Sequence, residues 1–462
     1  MPRPIAPAVT ESAIWPLLIV GLGTLVVPLD SSVNIDFPAI VARFGLPIPM
    51  IQWIVIAYVL TQTALLLTFG RIGDMLGYRR VFLVGTGVST LAFVACALAP
   101  TYAALLAARV AQGVGAGLIL SCGPALATSL FPEAMRTRVL AHYLMMFGVG
   151  SALGPSVFGS LVERFGWSAV FSFRAPVAAA AFLLAWTLPR PTPGAREPFD
   201  AAGGALLALA LSCMLLALNR LRPPDWETAG FAALAITGFV LFYRQEHRTA
   251  KPIIDFSYFR NIDFTVINVS NALINLSAFS IMLLAPFYLN RIPGLSLPMA
   301  GLVLATSPAG SILAAPLAGR LANGQNPRVI ALIGTALSGA GLFGISLSDV
   351  TADLLVLVLS MAIQGFGIGL FQVAYFDIVT AAIPARNRGV AGALGMATRT
   401  IGTVTGATVL MLIFQSLQTS GPHGFMTAFQ ITFRIAALIP AAIILFDLRR
   451  GRWSRPPAAP QT

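Results

Sequence analysis

Arg109-Val110-Ala111-Gln112-Gly113-Val114-Gly115-Ala116-Gly117 lies in an apolar run over 102–122, and its second part returns 252 residues later as Gln364-Gly365-Phe366-Gly367-Ile368-Gly369. The same offset carries Pro132 onto Pro384, Arg136 onto Arg388, Gly150 onto Gly402 and Gly154 onto Gly406. Gly70-Arg71 has a degenerate partner in Gly319-Arg320, so a small insertion separates the blocks. A motif with four further matches in one register marks an internal duplication. Duplicated helical halves around a central site are a transporter architecture.

The surrounding chain has the composition such halves need. Of 462 residues, 57% are hydrophobic and only 10% charged, with a mean hydropathy of +0.83. Apolar runs of about 20 residues recur, each long enough to cross a bilayer core of about 30 Å as a helix. Lipid offers no partners to the backbone, so these runs must be helical. Fourteen spans are expected, near 14–37, 51–70, 80–99, 102–122, 138–162, 168–188, 202–220, 228–244, 263–288, 298–319, 328–346, 353–380, 389–416 and 426–447. The expected layout is a six-helix bundle over 1–190, a two-helix insert over 191–261, a second six-helix bundle over 262–448 and a basic tail over 449–462.

The net charge of +12 is a topology signal and does not point to nucleic acid. Read from an inside N-terminus, about 20 of the 29 Lys and Arg residues fall on the cytoplasmic side, about 5 outside and 4 within helices. Both termini are therefore expected in the cytoplasm, in an inner membrane. The first helix reads as uncleaved, because Asp30 follows its apolar run and no small-residue cleavage site is evident. Cys96, Cys122 and Cys213 have no metal-ligand spacing and read as small core residues.

Several polar groups inside these runs require an explanation. Arg109 lies about 10 Å below the outer surface, at about 1.5 Å per residue. A charge within a span costs ~2.5–3.5 kcal/mol on insertion scales, so Arg109 must find a partner or water. Leu29-Asp30-Ser31-Ser32-Val33-Asn34 sets Asp30 and Asn34 four apart, on one face of an α-helix. Asp30 either holds a proton there or pairs with a cation such as Arg109. In the loop Gly70-Arg71-Ile72-Gly73-Asp74-Met75-Leu76-Gly77-Tyr78-Arg79-Arg80, glycines allow a tight turn and Asp74 can cap a helix or pair with arginines. Gly150-Ser151-Ala152-Leu153-Gly154-Pro155 with Gly159 lets helices approach closely, and Pro155 bends its helix. Asn268, Asn271 and Asn275 fall within about 60° of one helix face, at about 100° per residue. They either glue helices or line a cavity, and pairing of their span with span 1 by the repeat favours the cavity.

These stretches resemble the major facilitator superfamily over nearly the whole chain. Leu29–Asn34 resembles the first-helix signature of its fourteen-helix drug–proton antiporters, the EmrB/QacA type. Trp53, Tyr58, Phe199-Asp200, and Pro252-Ile253-Ile254-Asp255 before Phe259-Arg260-Asn261 are further marks, and the last two place the insert as in that subfamily. Three departures are Phe158 for a usual glycine, Arg174 for a usual amide, and Asp36 for a small apolar residue. The resemblance implies an all-α polytopic membrane protein of the major facilitator fold. It implies a cytoplasmic gate latched by Gly70, Gly73, Asp74, Gly77, Arg79 and Arg80, proton coupling through Arg109, and an exporter's span 5 in Gly150, Gly154, Pro155 and Gly159.

Together these readings predict a proton-coupled exporter of small amphiphilic molecules, working by alternating access. Asp30 and Arg109 are the expected coupling pair, with Asp377 as a second protonation site or an anchor for Arg386 or Arg388. Asn34, Tyr58, Gln62, Asn268, Asn271 and Asn275 are the expected substrate contacts. Arg174, Arg399 and Arg434, also expected at the substrate, leave the interior net positive with Arg109 against Asp30 and Asp377. That balance disfavours cations and favours an anionic, zwitterionic or neutral amphiphile; the alternative is structural pairing or snorkelling. The expected partners are substrate, protons and membrane lipid, with no cofactor beyond the proton gradient, no metal and no catalytic residues. A monomer is expected, with a periplasmic adaptor left open. The rival readings are an importer, or a transporter of lipid or anionic metabolites, of the same superfamily. An enzyme is not expected, since His142, His247 and His423 have no nucleophile motif beside them.

Overall fold

The computed structural model describes residues 15–46, 50, 52–189, 200–219, 225–249, 252–289, 291–292, 295, 297–321, 326–349, 354–384, 387–418 and 424–450. Of 34–39, 52, 155–160, 162–163, 219 and 297–298 it describes the backbone alone. No strand occurs among the described residues. The helices are α1 (Trp15–Leu25), α2 (Phe37–Phe44), α3 (Gln52–Leu76), α4 (Tyr78–Ala97), α5 (Tyr102–Ser129), α6 (Arg136–Phe165), α7 (Ala169–Ser172) and α8 (Arg174–Ala185). They continue as α9 (Ala201–Asn219), α10 (Trp226–Arg248), α11 (Ile262–Leu289), α12 (Leu297–Leu321), α13 (Pro327–Ile345), α14 (Leu354–Ala382), α15 (Arg388–Leu417) and α16 (Gly424–Arg450).

Twelve helices among the described residues are long and apolar enough to cross a membrane. They coincide with twelve of the fourteen expected spans. The expected fifth span corresponds to α6, a 30-residue helix with basic residues at both ends. The expected sixth is the shorter apolar stretch Ala169–Ala185, interrupted at Phe173 between α7 and α8. Pro176 explains that break, since it has no N–H and its ring displaces the carbonyl four residues earlier.

The first expected span is also discontinuous, which corrects the sequence reading. α1 stops at Leu25, and Pro28–Asp36 is a 3₁₀ helix. Val27 N–H bonds to Thr24 O at 3.2 Å and Asp30 N–H to Val27 O at 3.1 Å, both across three residues. Pro28 removes the donor that would continue the α-helix. At three residues per turn, positions four apart are rotated by about 120°. The shared α-helical face of Asp30 and Asn34 therefore does not exist, and the side chain of Asn34 lies outside the described residues.

Chain contacts divide the molecule into two units. Unit 1 comprises Met1–Pro198 with Arg386–Ala393, and unit 2 comprises Phe199–Ala385 with Leu394–Thr462. The insert helices α9 and α10 thus belong to unit 2, and the first residues of α15 to unit 1. In unit 1 a core of Leu25, Leu29, Val33, Phe93, Val170 and Phe171 joins the first helix to α4 and α7. In unit 2 the rings of Tyr288, Phe425, Phe429 and Phe433 stack along α11 and α16. Large apolar side chains such as Leu98, Leu183, Leu313 and Leu438 face outward, as hydrocarbon surroundings require.

Each unit is assembled on the duplicated glycines. A Cβ at Gly113 would meet Tyr58 O at 2.7 Å, and one at Gly117 would meet Phe69, so this face of α5 seats on α3. A Cβ at Gly115 would meet Ser89 of α4. In unit 2, Gly365 and Gly369 seat α14 on Ser307 and Ser311 of α12, while Gly367 seats it on Ser338 of α13. Gly150 approaches Leu25 O and Gly154 approaches Ser31; likewise Gly402 approaches Ala272 O and Gly406 approaches Leu276 O. These close approaches let backbones pack directly, the main source of helix association in lipid.

Candidate functional site

In unit 1 the 3₁₀ segment, α3, α5 and α8 bring four polar side chains together. Arg109 of α5 forms a two-pronged pair with Asp30, Nη1 to Oδ1 at 2.6 Å and Nη2 to Oδ2 at 2.8 Å. Its Nε donates to Ile54 O of α3 at 2.9 Å, and Nη1 also donates to Gln112 Oε1 at 2.7 Å. Gln112 Nε2 donates to Asp30 Oδ1 at 2.8 Å. Arg174, the first residue of α8, donates from Nη2 to the same oxygen at 2.9 Å. Both guanidinium groups are fully buried, while the Asp30 side chain retains 12% exposure.

Every partner of Asp30 here is a donor, so both its oxygens act as acceptors. Aromatic rings cover the cations: Tyr58 lies 4.5 Å from the Arg109 guanidinium and Phe93 lies 4.4 Å from that of Arg174. Such contacts stabilise a desolvated cation by about 2 kcal/mol. Two guanidinium groups against one carboxylate leave the cluster one charge positive. Arg174 Nε and Nη1 are buried with no hydrogen-bond partner.

The amide row of α11 builds a neutral network in unit 2. Asn271 Nδ2 donates to Gly395 O at 3.1 Å and Thr398 Oγ1 at 2.8 Å, both on α15. Its Oδ1 accepts from Gln372 Nε2 of α14 and from Asn275 Nδ2, each at 3.0 Å. Asn268 Oδ1 accepts from Tyr375 OH at 2.8 Å. In this conformation Asn268 and Asn271 join α11 to α14 and α15, and Asn275 bonds back onto Asn271. Gln372 and Tyr375 of α14 and Thr398 of α15 are not among the residues expected from the sequence; the mostly apolar α14 offers no polar stripe that marks the first two.

The expected loop Gly70–Arg80 is helical except at Gly77, with α3 running on to Leu76 and α4 starting at Tyr78, and it works through its charged groups. Asp74 accepts from Tyr78 OH at 2.7 Å and from the N–H groups of Gly389 at 2.8 Å and Val390 at 3.3 Å. It thereby caps the first turn of α15, whose N–H groups lack helical partners. Arg79 donates to Ala185 O at 3.2 Å and Trp186 O at 2.5 Å, closing the end of α8. Gly77 has φ of 92°, a conformation suited to glycine, at the turn from α3 to α4. A Cβ at Gly70 would meet Gly389 O, and one at Gly73 would meet Cys122 Sγ. Arg80 is exposed. Glu133 accepts from Arg388 at 2.6 Å and pairs with Arg136, so one carboxylate serves both repeat-related arginines. Burial pushes the Glu133 carboxyl up, but the hydrogen bond and charge of Arg388, with Arg136, hold it below the usual glutamate range.

Other expected residues stand apart from these clusters. Gln62 is buried on α3, one turn from Tyr58. Asp377 is buried in α14 of unit 2; Arg388 pairs with Glu133, and Arg386 lies outside the described residues. Arg399 is half-buried on α15. Arg434 lies exposed on α16, on the outward stripe that carries Leu438 and Leu445. At Pro155 and Gly159 the structure describes the helical backbone alone.

Residues 20–259 and 267–461 match the family described as Major Facilitator Superfamily. The chain is 30% identical over 405 residues to the riboflavin transporter RibZ of Clostridioides difficile, covering 87% of this chain and 88% of that protein. It is 29% identical over 411 residues to a tetracenomycin C resistance and export protein of Streptomyces glaucescens, covering 87% and 76%. The solved structure of the human organic anion transporter MFSD10 superposes with a TM-score of 0.68 over 94% of this chain and 99% of that one. At 14% identity that likeness is one of fold. With a matching family over most of its length and many helices fit to span a membrane, this chain is a multi-pass membrane transporter of the Major Facilitator Superfamily.

Proposed function

We propose that this chain is a proton-coupled exporter of small amphiphilic molecules, of the fourteen-helix drug–proton antiporter type. In that count α6 is the fifth span, the stretch Ala169–Ala185 the sixth, and α9 with α10 the two-helix insert. The Lys and Arg distribution supports an inner-membrane location with both termini cytoplasmic. The observation that carries the reading is the buried cluster of Asp30, Arg109, Gln112 and Arg174. A proton arriving on Asp30 removes an acceptor from these donors, so protonation and rearrangement of the site are linked. A conformational change is driven only by such differential interaction. The resistance and export function in the name of the Streptomyces glaucescens relative supports the outward direction.

Inverted membrane vesicles with an imposed pH gradient test this. Export predicts accumulation of a transported dye inside inverted vesicles that are acid inside, and collapse of that accumulation by a protonophore. Accumulation under the opposite gradient alone supports the second reading, an importer, which the RibZ relative's description as a riboflavin transporter keeps open. No pH-dependent movement in either direction defeats proton coupling.

A further inference from the structure

Among the described residues Arg174 leaves two buried guanidinium nitrogens without a hydrogen-bond partner, where Arg71, Arg388 and Arg450 each leave one. In Arg109 each of the three guanidinium nitrogens is bonded, to Asp30, Gln112 or Ile54 O. Arg434 is exposed among outward apolar side chains. Arg174 spends Nη2 on Asp30 and presents one ring-covered face to Phe93. Its Nε and Nη1 have no partner although the residue is fully buried; they are separate donor sites, since Nε–H faces the Nη2 side and Nη1 lies on the Cδ side. Asp30 Oδ1 cannot compensate further, since it already accepts from Arg109, Gln112 and Arg174. Asp30 balances one of the two guanidinium charges, a buried charge left without a counter-charge is strongly unfavourable, and a guanidinium N–H makes a charge-assisted hydrogen bond to an anion.

We propose that Arg174 is an anion receptor: one of its unpaired guanidinium donors, Nε or Nη1, binds an anionic group, a carboxylate of the transported molecule or a free inorganic anion. That group brings the cluster to neutrality, two guanidinium groups against Asp30 and the ligand's charge. The break at Phe173 supports this role, because it sets Arg174 at the start of a new helix, whose N-terminal N–H groups also favour negative charge. The inference rests on the transport reading above, with the substrate site including this cluster, and it adds the substrate's charge class.

The test measures binding to purified protein in detergent, so it depends on neither transport direction nor proton coupling. Fluorescein and rhodamine 123 share a xanthene ring system and carry opposite charge at neutral pH. The native chain is expected to bind fluorescein at least about tenfold more tightly, the scale of one charge-assisted hydrogen-bonded contact. Arg174→Gln is expected to abolish that preference. Arg174→Lys, which keeps the charge and loses the planar guanidinium donors, is expected to retain part of it. Thermal unfolding supplies an independent readout: Arg174→Gln should unfold at the same or a higher temperature than native, because it removes an uncompensated charge. Replacing chloride by tetrafluoroborate, a weakly coordinating anion without a carboxylate, separates the two sources. Chloride that competes with fluorescein in the native chain and not in Arg174→Gln identifies the inorganic ion as a ligand of the same donors; binding indifferent to chloride assigns them to the dye's carboxylate. A native preference for rhodamine 123, or a fluorescein preference unchanged in Arg174→Gln, overturns the proposal. Selective binding of fluorescein without transport in vesicles would defeat the exporter reading and leave the anion site standing.

Discussion

Arg109 and Met361 stand at the same place in the duplicated motif, 252 residues apart, and both are fully buried. The glycines around them do the same work in each unit, seating α5 on α3 and α4, and α14 on α12 and α13. The contents differ. In unit 1 the arginine meets a carboxylate at Asp30. Matching the glycine contacts pairs Leu25 with Ala272 and Leu29 with Leu276, which sets Ser277 opposite Asp30. The Ser277 hydroxyl donates to Ile274 O of its own helix, and the polar work of unit 2 falls to Asn271, Gln372, Tyr375 and Thr398. Small residues thus fix the helix frame, while the side chains it encloses have diverged into a charged cluster and a neutral one. Charge inside a membrane needs a reason beyond packing, because amides and hydroxyls hold helices together at lower cost.

The strongest way to break this comparison is to write unit 2's residue into unit 1. Arg109→Met leaves Asp30 with Arg174 as its charged partner and takes the donors from Asp30 Oδ2, Gln112 and Ile54 O, so it is expected to cost about 3 kcal/mol of stability. It should also abolish coupled transport. Thermal unfolding in detergent reads the first and dye efflux the second. Combining Arg109→Met with Asp30→Ser and Arg174→Gln removes all three charges and should recover most of the stability but none of the coupling. A triple variant as unstable as the single one would mean that the cluster is primarily a structural bond.

The frame itself is tested next. Gly406→Ala places a methyl group 2.5 Å from Leu276 O, a backbone atom with little freedom to move. A cost of about 2–3 kcal/mol is expected, toward the upper end for overpacking. In the neutral network Asn271→Ala removes the donor to Thr398 and the acceptor of Gln372. About 1–2 kcal/mol is expected there, from buried polar groups left without partners; a loss as large as that of Arg109→Met would erase the contrast between the units.

The smallest effect belongs to Glu133→Gln, where a half-exposed carboxylate links two arginines. Exposed pairs contribute less than about 1 kcal/mol. Because the carboxyl is held below the usual glutamate range, its contribution is present above that range and fades as the pH falls through its lowered value. Native and Glu133→Gln chains should therefore differ slightly near neutrality and converge in acid. A difference that grows in acid would contradict the assignment.

The apolar runs and the repeated glycines carry the fold openly in the sequence, because lipid leaves the backbone no alternative to helices. The pairing of Asp30 with Arg109 was legible for the same reason: a buried cation needs a nearby anion. The 3₁₀ segment was not, since one proline in an apolar run reads as a kink as readily as a change of helix type. Gln112 could have been found from its place three residues after Arg109, on the same face of α5. Arg174 was noticed as an oddity, but its meeting with Asp30, 144 residues away in the chain, depends on how α8 restarts after Phe173.

Substrate-dependent proton movement in proteoliposomes, native chain against Asp30→Asn, tests the central claim most directly. With whichever of fluorescein and rhodamine 123 the native chain carries, a pH electrode should record counter-movement of protons. Asp30→Asn should still bind the dye and move no protons with it. An unchanged ratio of protons to dye in Asp30→Asn would contradict the account.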